Sequence, residues 1–201
     1  MDERLAVGPY TVRRAVGSDA LAYAQADAEM VGGTYGYLMP PEFAAARLAE
    51  VPAVAQERAT GLDAEVAAER QGDEPARRTW IATHDARIVG IAVTTAFQQP
   101  WEQALGVPWA EGMLQLNHLY VRPEAHGSGL GQALLDLVVP EGVASYLWIV
   151  GGNARAQRFY ERNGYVGDGV EYSCGPVWFN KPLLRMLRPA QPVRMGAQVL
   201  S

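Results

Sequence analysis

Apolar and polar residues alternate from Tyr10 to Arg14, a period of two that predicts a short strand. Ser18 and Asp19 then offer an N-cap for a helix running to about Met30. Gly32-Gly33-Thr34-Tyr35-Gly36-Tyr37 reads as a loop, with three glycines in five positions. Pro40-Pro41-Glu42 opens a second helical region, rich in Ala and Glu. It extends to about Arg70, with breaks expected near Pro52 and Gly61. The pattern then changes. Thr79 to Thr83 and Ile88 to Thr94 are predicted strands, joined by the polar turn His84-Asp85-Ala86-Arg87 into a hairpin. Residues 98–112 hold two prolines, two tryptophans and two glycines and predict an irregular insert. Met113 to Val121 is the next strand, stopped by Pro123. A glycine-rich turn follows, then a helix from about Gly129 to Val139 and a buried strand from Tyr146 to Val150. Asn153 caps a helix that ends at Asn163-Gly164. Tyr165 to Glu171 and Val177 to Met186 are the last two expected strands, and the tail after Pro189 is expected to be loose.

This order predicts an α/β fold in the mixed, α+β sense: a central twisted mixed sheet of about seven strands, flanked by helices. The hairpins make neighbours antiparallel, while the strand–helix–strand unit over 113–150 requires a parallel pair. One domain is expected over residues 1–188, with 189–201 as a tail.

Composition narrows the class. The chain has 201 residues, 49% hydrophobic and 19% charged, the profile of a soluble globular protein. A single cysteine, Cys174, excludes a disulfide within the chain and points to a reducing cytoplasm. The net charge of −5 and the lack of a basic stripe argue against a nucleic-acid partner. Met1-Asp2-Glu3-Arg4 does not read as a signal peptide, and no long apolar run predicts a membrane span. His84, His118 and His126 are not at metal-ligand spacing, so no metal site is expected.

The most informative segment is His126-Gly127-Ser128-Gly129-Leu130-Gly131, between a strand and an amphipathic helix. A helix start leaves backbone N–H groups unpaired with a partial positive charge, and glycines let that backbone approach an anion. The combination is suited to a pyrophosphate; a glycine-rich turn with no ligand is the alternative reading. The segment is not a P-loop, because no lysine is present. It is not a dinucleotide fingerprint either, because the sixth position is Gln132 counted from Gly127 and Leu134 counted from Gly129. A second segment runs from Asn153 through Phe159-Tyr160 to Gly164-Tyr165. Asn153 and Tyr160 are seven residues apart, two turns, and so lie on nearly one helix face.

Together the two segments resemble the acetyl-CoA signature of the GNAT superfamily of N-acetyltransferases. The family pattern R/Q-x-x-G-x-G/A stands here as His126-x-x-Gly129-x-Gly131. The Asn153 helix with Phe159-Tyr160 and Gly164-Tyr165 is similar to its second motif, and Leu119-Tyr120-Val121-Arg122-Pro123 matches the preceding strand. The resemblance implies an acyl-CoA N-acyltransferase fold and acetyl transfer from acetyl-coenzyme A to a primary amine of a small molecule or peptide. Transfer would be by direct attack in a ternary complex, without a metal; a homodimer is common among similar proteins. It implies that the Leu119 and Val121 backbone and residues His126, Gly127, Ser128, Gly129, Leu130 and Gly131 hold the cofactor. A backbone N–H near Val121 would stabilise the developing oxyanion. Tyr160 would protonate the leaving thiolate and Asn153 would orient the pantetheine arm or a water.

Two departures stand out. His126 replaces the usual Arg or Gln, and would add a charge if protonated. Gln115 occupies a position where many members carry a glutamate base, and glutamine accepts no proton at neutral pH. Strand alternation puts His118 on the face opposite Gln115, Asn117 and Leu119. Glu111 in the insert and a water chain are the other candidates for the base. A degenerate module that binds acyl-CoA without turnover is the competing reading. Substrate contacts are expected from the Gly32–Tyr37 loop, from Trp101 and Trp109, and from the stretch Tyr172 to Trp178. Arg155, Arg158 and Arg162 are further candidates for phosphate contact.

Overall fold

The computed structural model describes residues 4–190; the expected loose tail lies almost wholly outside them. The strands are β1 (Arg4–Val7), β2 (Tyr10–Arg14), β3 (Arg77–His84), β4 (Arg87–Thr95), β5 (Leu114–Val121), β6 (Ser145–Val150), β7 (Val166–Ser173) and β8 (Pro182–Arg188). The helices are α1 (Ala20–Tyr35), α2 (Glu42–Ala49), α3 (Val51–Gln71), α4 (Pro100–Ala104), α5 (Leu130–Val138) and α6 (Ala154–Arg162). The strands form one mixed sheet in the order β1-β2-β3-β4-β5-β6-β8-β7. Among the described residues no helix is long and apolar enough to cross a membrane.

Each face of the sheet carries its own core. On one face α5 presents Leu130, Leu134, Leu135 and Val138, spaced to form a helical stripe, against Ala82, Ala92 and Leu116. Burying each of these large side chains stabilises the fold by roughly 1.5–3 kcal/mol. Gly90 makes the approach possible: a Cβ there would stand 2.9 Å from Leu134 Cδ1. On the other face Tyr23, Ala26 and Met30 of α1 and Leu62 of α3 cover Ile81, Ile91 and Val93. A charged cluster closes the edge of that face. Arg58 donates to Glu65 at 2.8 Å, and Arg14 reaches both Glu65 and Glu69.

Several expectations change. The sheet has eight strands, because β1 pairs with β2 through the turn at Gly8. Gly32-Gly33-Thr34-Tyr35 is not loop but the last turn of α1. Gly32 is there for room: a Cβ would sit 3.2 Å from Ala44 Cβ, where α1 meets α2. Asp19 stands at the N-cap of α1 but makes no side-chain cap bond. Its carboxylate instead accepts the Val16 N–H and the Arg13 guanidinium. The helical region breaks at Glu50, beside Pro52, and runs through Gly61 without interruption. The insert contains α4, whose Glu102 is buried. Residues 176–178 form a single 3-10 turn, so the last strand starts at Pro182.

The site is set by the middle of the sheet. β5 and β6 pair in parallel only at Leu114↔Ser145, Gln115↔Tyr146 and Leu116↔Leu147. Beyond Leu116 they part, although β5 continues to Val121. On its other side β5 carries a bulge. Val93 opposes His118 and Thr94 opposes Leu116, which leaves Asn117 as the extra residue. A bulge raises the local twist and bends its strand, here at the point where the two strands separate.

Candidate functional site

The gap between β5 and β6 opens into a cleft of about 540 Å³, walled by β5, by the end of α1 and by the N-termini of α5 and α6. At one end lies the glycine turn. Gly127 and Gly129 adopt φ of 79° and 85°, which side chains rarely tolerate. Space is not the issue, since a Cβ at either would meet nothing within 4 Å. The conformation matters because it leaves donors free. Ser128 Oγ accepts the Leu130 N–H and donates to the Ala125 carbonyl, and Ala133 N–H returns to Gly129. The amides of Gly127, Gly129, Gly131 and Gln132 donate to no protein group among the described residues. These four orphan donors, at the positive end of α5, are the observation that fits an anionic group here.

His126 does not add the charge that its place in the turn suggested. Its Nε2 lies 2.8 Å from the Val121 carbonyl, and its Nδ1 lies 2.7 Å from Arg155 Nη1. A guanidinium only donates, so Nδ1 presents its lone pair and the ring is neutral in this arrangement. The cation at this corner is Arg155. Arg155 and Arg162 line the cleft and Arg158 does not. Nearby, Arg122 is buried and tied to Glu29 at 2.6 Å and to the Ile88 carbonyl at 2.8 Å. Glu29 is held below the usual carboxylate range, with the Gln25 hydrogen bond and Arg122 outweighing the cost of its burial.

At the other end three tyrosines converge. Tyr35 from α1, Tyr120 from β5 and Tyr160 from α6 all line the cleft, with Asn153 beside them. Burial pushes all three phenols up. For Tyr35 the neighbouring Tyr120 and Asn153 side chains partly offset it, and for Tyr160 the nearby Tyr35 and Tyr165 add to it. Phenols so placed keep their protons and act as donors. Asn153 Oδ1 caps α6 by accepting the Ala156 N–H at 3.1 Å. Tyr37 reaches across the cleft, its hydroxyl donating to the Gly152 carbonyl at 3.2 Å.

The structure therefore brings Leu119, Val121, His126, Gly127, Gly129, Gly131, Asn153 and Tyr160 to one cleft. Three predicted residues stand apart. Leu130 is wholly buried in the α5 core, and Ser128 spends its hydroxyl on the turn itself. Gln115 is buried outside the cleft. It accepts from Thr95 Oγ1 and lies 3.4 Å from Glu102, a carboxylate that also receives Trp148 Nε1 at 2.7 Å. The expected facing of β5 is also corrected. Thr95 opposes Gln115 and Val93 opposes His118, so the bulge puts Gln115 and His118 on one face and Leu119 on the other. Strand alternation holds on each side of Asn117 but not across it.

Tyr35 joins the site from the Gly32–Tyr37 stretch expected to contact substrate, and Tyr120 joins it without a sequence signal of its own. Tyr35 sits among glycines that read as loop, and Tyr120 sits in the motif strand, where the splay of β6 uncovers it. Trp101 stacks edge-on against Trp148, a cleft residue, while Trp109 is exposed. Trp178 packs on Tyr35 and Phe43, behind the end of α1. Glu111 lines neither this cleft nor the smaller cavity beside it. The Cys174 thiol is half-buried and pushed up to about 11, which leaves it protonated and a poor nucleophile.

Residues 75–167 match the family model described as an acetyltransferase (GNAT) domain. Over this stretch the chain matches the GNAT acetyltransferase family. The glycine turn, the Asn153 helix and the parting of β5 from β6 all fall inside this matched stretch. GNAT enzymes use acyl-coenzyme A, and the four free amides lie where this chain could hold its diphosphate. No curated protein matches the chain. Among solved structures it is similar to the PaiA N-acetyltransferase of Thermoplasma acidophilum, crystallised in complex with coenzyme A. The identity is 14%, covering 90% of this chain and 98% of that one, with a TM-score of 0.61. It is also similar to the ribosomal-protein-S5-alanine acetyltransferase of Vibrio fischeri, at 12% identity over 95% and 100% of the chains and a TM-score of 0.60. An acetyltransferase from Thermus thermophilus aligns at 21% identity over 92% and 99%, with a TM-score of 0.54. At these identities the likeness is one of fold, and it extends the GNAT fold across nearly the whole chain.

Proposed function

We propose that this protein moves an acetyl group from acetyl-coenzyme A to a primary amine of a small molecule or peptide, in the cytoplasm, by direct attack with both substrates bound. The observation that carries this reading is one continuous cleft with unpaired main-chain donors at one end and protonated phenols at the other. Acetyl-coenzyme A supplies an activated acyl carbon and a diphosphate.

The chain's own residues divide the work. The amides of Gly127, Gly129, Gly131 and Gln132 grip the diphosphate, and Arg155 adds a cation beside it. The β5 backbone around Leu119 has lost its β6 partner, so its free edge is available to an extended amide-bearing arm. Its neighbour Val121 has its carbonyl engaged by His126. Tyr160 holds a proton within the cleft and gives it to the departing sulfur. Asn153 keeps α6 in place, and with it Tyr160. Gln115 has no part in proton transfer, being an amide buried away from the cleft.

The test is thiol release from acetyl-coenzyme A across a panel of amines, with the N-acetyl product identified by mass. Release that depends on an amine supports the reading. Tight binding of coenzyme A with no release over a broad panel would favour the non-catalytic module.

A further inference from the structure

The bulge puts Asn117 as an extra residue on β5 where β6 departs, and bulges beside active sites re-aim a side chain. Asn117 lines the cleft, and its amide is oriented from β4. Gln99 Nε2 donates to the buried Thr95 Oγ1 at 3.1 Å, and the Thr95 hydroxyl has a single proton to pass on. That proton is shared between Gln115 Oε1 at 3.2 Å and Asn117 Oδ1 at 2.6 Å, and the shorter contact takes most of it. With Oδ1 turned to Thr95, Asn117 Nδ2 points the other way. It donates to no protein group among the described residues. The cleft thus holds a side-chain donor that is fixed in direction and has no acceptor.

Distance along β5 says what reaches it. The start of α5 adjoins Val121, since a Cβ on Gly131 would stand 3.7 Å from Val121 Cγ2. From Val121 back to Asn117 the strand covers about 13 Å, at about 3.3 Å per residue. The arm of coenzyme A between diphosphate and sulfur, when extended, is about as long as four residues of chain. A diphosphate held at the start of α5 therefore brings the thioester level with Asn117 when the arm lies along β5. The gap closes there, because Leu116 pairs with Leu147. Trp148 walls this end of the cleft, held by Glu102, which accepts its Nε1–H at 2.7 Å. A thioester oxygen is an acceptor and suits the free N–H, whereas a protonated amine offers only donors and does not.

From this geometry we infer that Asn117 Nδ2 donates to the carbonyl oxygen of the thioester and holds it more tightly as negative charge gathers there in the transition state. The inference rests on the acetyltransferase reading and adds a side-chain catalytic residue to it. In the step, the amine nitrogen bonds to the acetyl carbon, and a carbonyl electron pair moves onto the oxygen held by Asn117. The pair then returns, the carbon–sulfur bond breaks, and Tyr160 gives the sulfur its proton. The new amide loses its surplus proton to water, and Tyr160 regains one from water.

The test uses the full chain and begins without any variant or amine. Coenzyme A has the arm but no thioester carbonyl, and acetyl-coenzyme A has both. The side-chain NH2 resonances of Asn117 should shift on saturation with acetyl-coenzyme A and stay nearly unmoved with coenzyme A. Asn117→Leu then removes the donor at similar size, and leaves the Thr95 proton to Gln115. It should lower kcat and kcat/KM together by about 100-fold or more, the usual weight of an oxyanion donor. Coenzyme A affinity should move by less than about 2-fold. The thioester carbonyl stretch of bound acetyl-coenzyme A should rise in frequency in Asn117→Leu, as it does when a hydrogen bond is lost. Equal Asn117 shifts with both ligands would assign the donor to the arm and overturn the inference, as would an unchanged kcat in a folded Asn117→Leu with chemistry limiting. A wild-type protein that binds neither ligand would sink the acetyltransferase reading, and this inference with it.

Discussion

Two helices begin on the same cleft, and they begin differently. At the start of α6 Asn153 turns its side chain back and accepts the Ala156 N–H, so the helix end is closed by its own cap. At the start of α5 Gly129 has no side chain to do this, and Ser128 satisfies only Leu130. One terminus is a finished structural element, while the other leaves four donors without a protein acceptor among the described residues. The difference teaches where an anion can bind: not at every helix N-terminus, but at the one whose amides the sequence has left unsatisfied.

The sharpest way to break the comparison is to put a charge at the open terminus. Gly129→Glu should weaken coenzyme A binding by at least about 100-fold in calorimetry, because a carboxylate would occupy the anion's position. Circular dichroism should show the fold intact, since a Cβ at Gly129 meets no atom and only the positive φ is strained. At the far end of the cleft, Tyr160→Phe should lower kcat by about 10- to 100-fold, while coenzyme A affinity moves by less than about 2-fold. Equal losses in both would assign Tyr160 to packing rather than to proton donation.

The closed terminus should behave as structure. Asn153→Ala is expected to cost about 1 kcal/mol of stability in denaturant unfolding, the usual weight of a lost cap. Asn153→Asp should retain most of it. The smallest effect is expected at Arg155, which is exposed to solvent. Arg155→Ala should weaken coenzyme A by about 3-fold at low salt and less as salt is raised, because exposed charges are screened.

The open terminus is legible in the sequence and the acceptor side is not, for physical reasons. A glycine turn before an apolar helix is a local pattern, and so is an asparagine cap two turns from a tyrosine. Both survive any tertiary context, and the hairpin and the parallel pair follow equally from local periodicity. The bulge at Asn117 is invisible there because Leu114 to Val121 reads as an uninterrupted strand, and the extra residue exists only relative to β4. One inserted residue exchanges the faces of His118 and Leu119. The last turn of α1 escapes a local reading for the opposite reason. Its glycines are poor helix formers, but Gly32 is required by the closeness of α2, a contact no local window contains. The neutrality of His126 likewise depends on Arg155, which is distant in sequence and adjacent in space.

The central claim is that main-chain amides at the start of α5 hold the diphosphate of an acyl carrier, and amide NMR tests it most directly. On titration with coenzyme A, the resonances of Gly127, Gly129, Gly131 and Gln132 should show the largest shifts and gain protection from exchange, while the Ala156 amide, already bonded to Asn153, stays protected throughout. Saturable binding of coenzyme A that leaves those four amides unmoved would contradict the account.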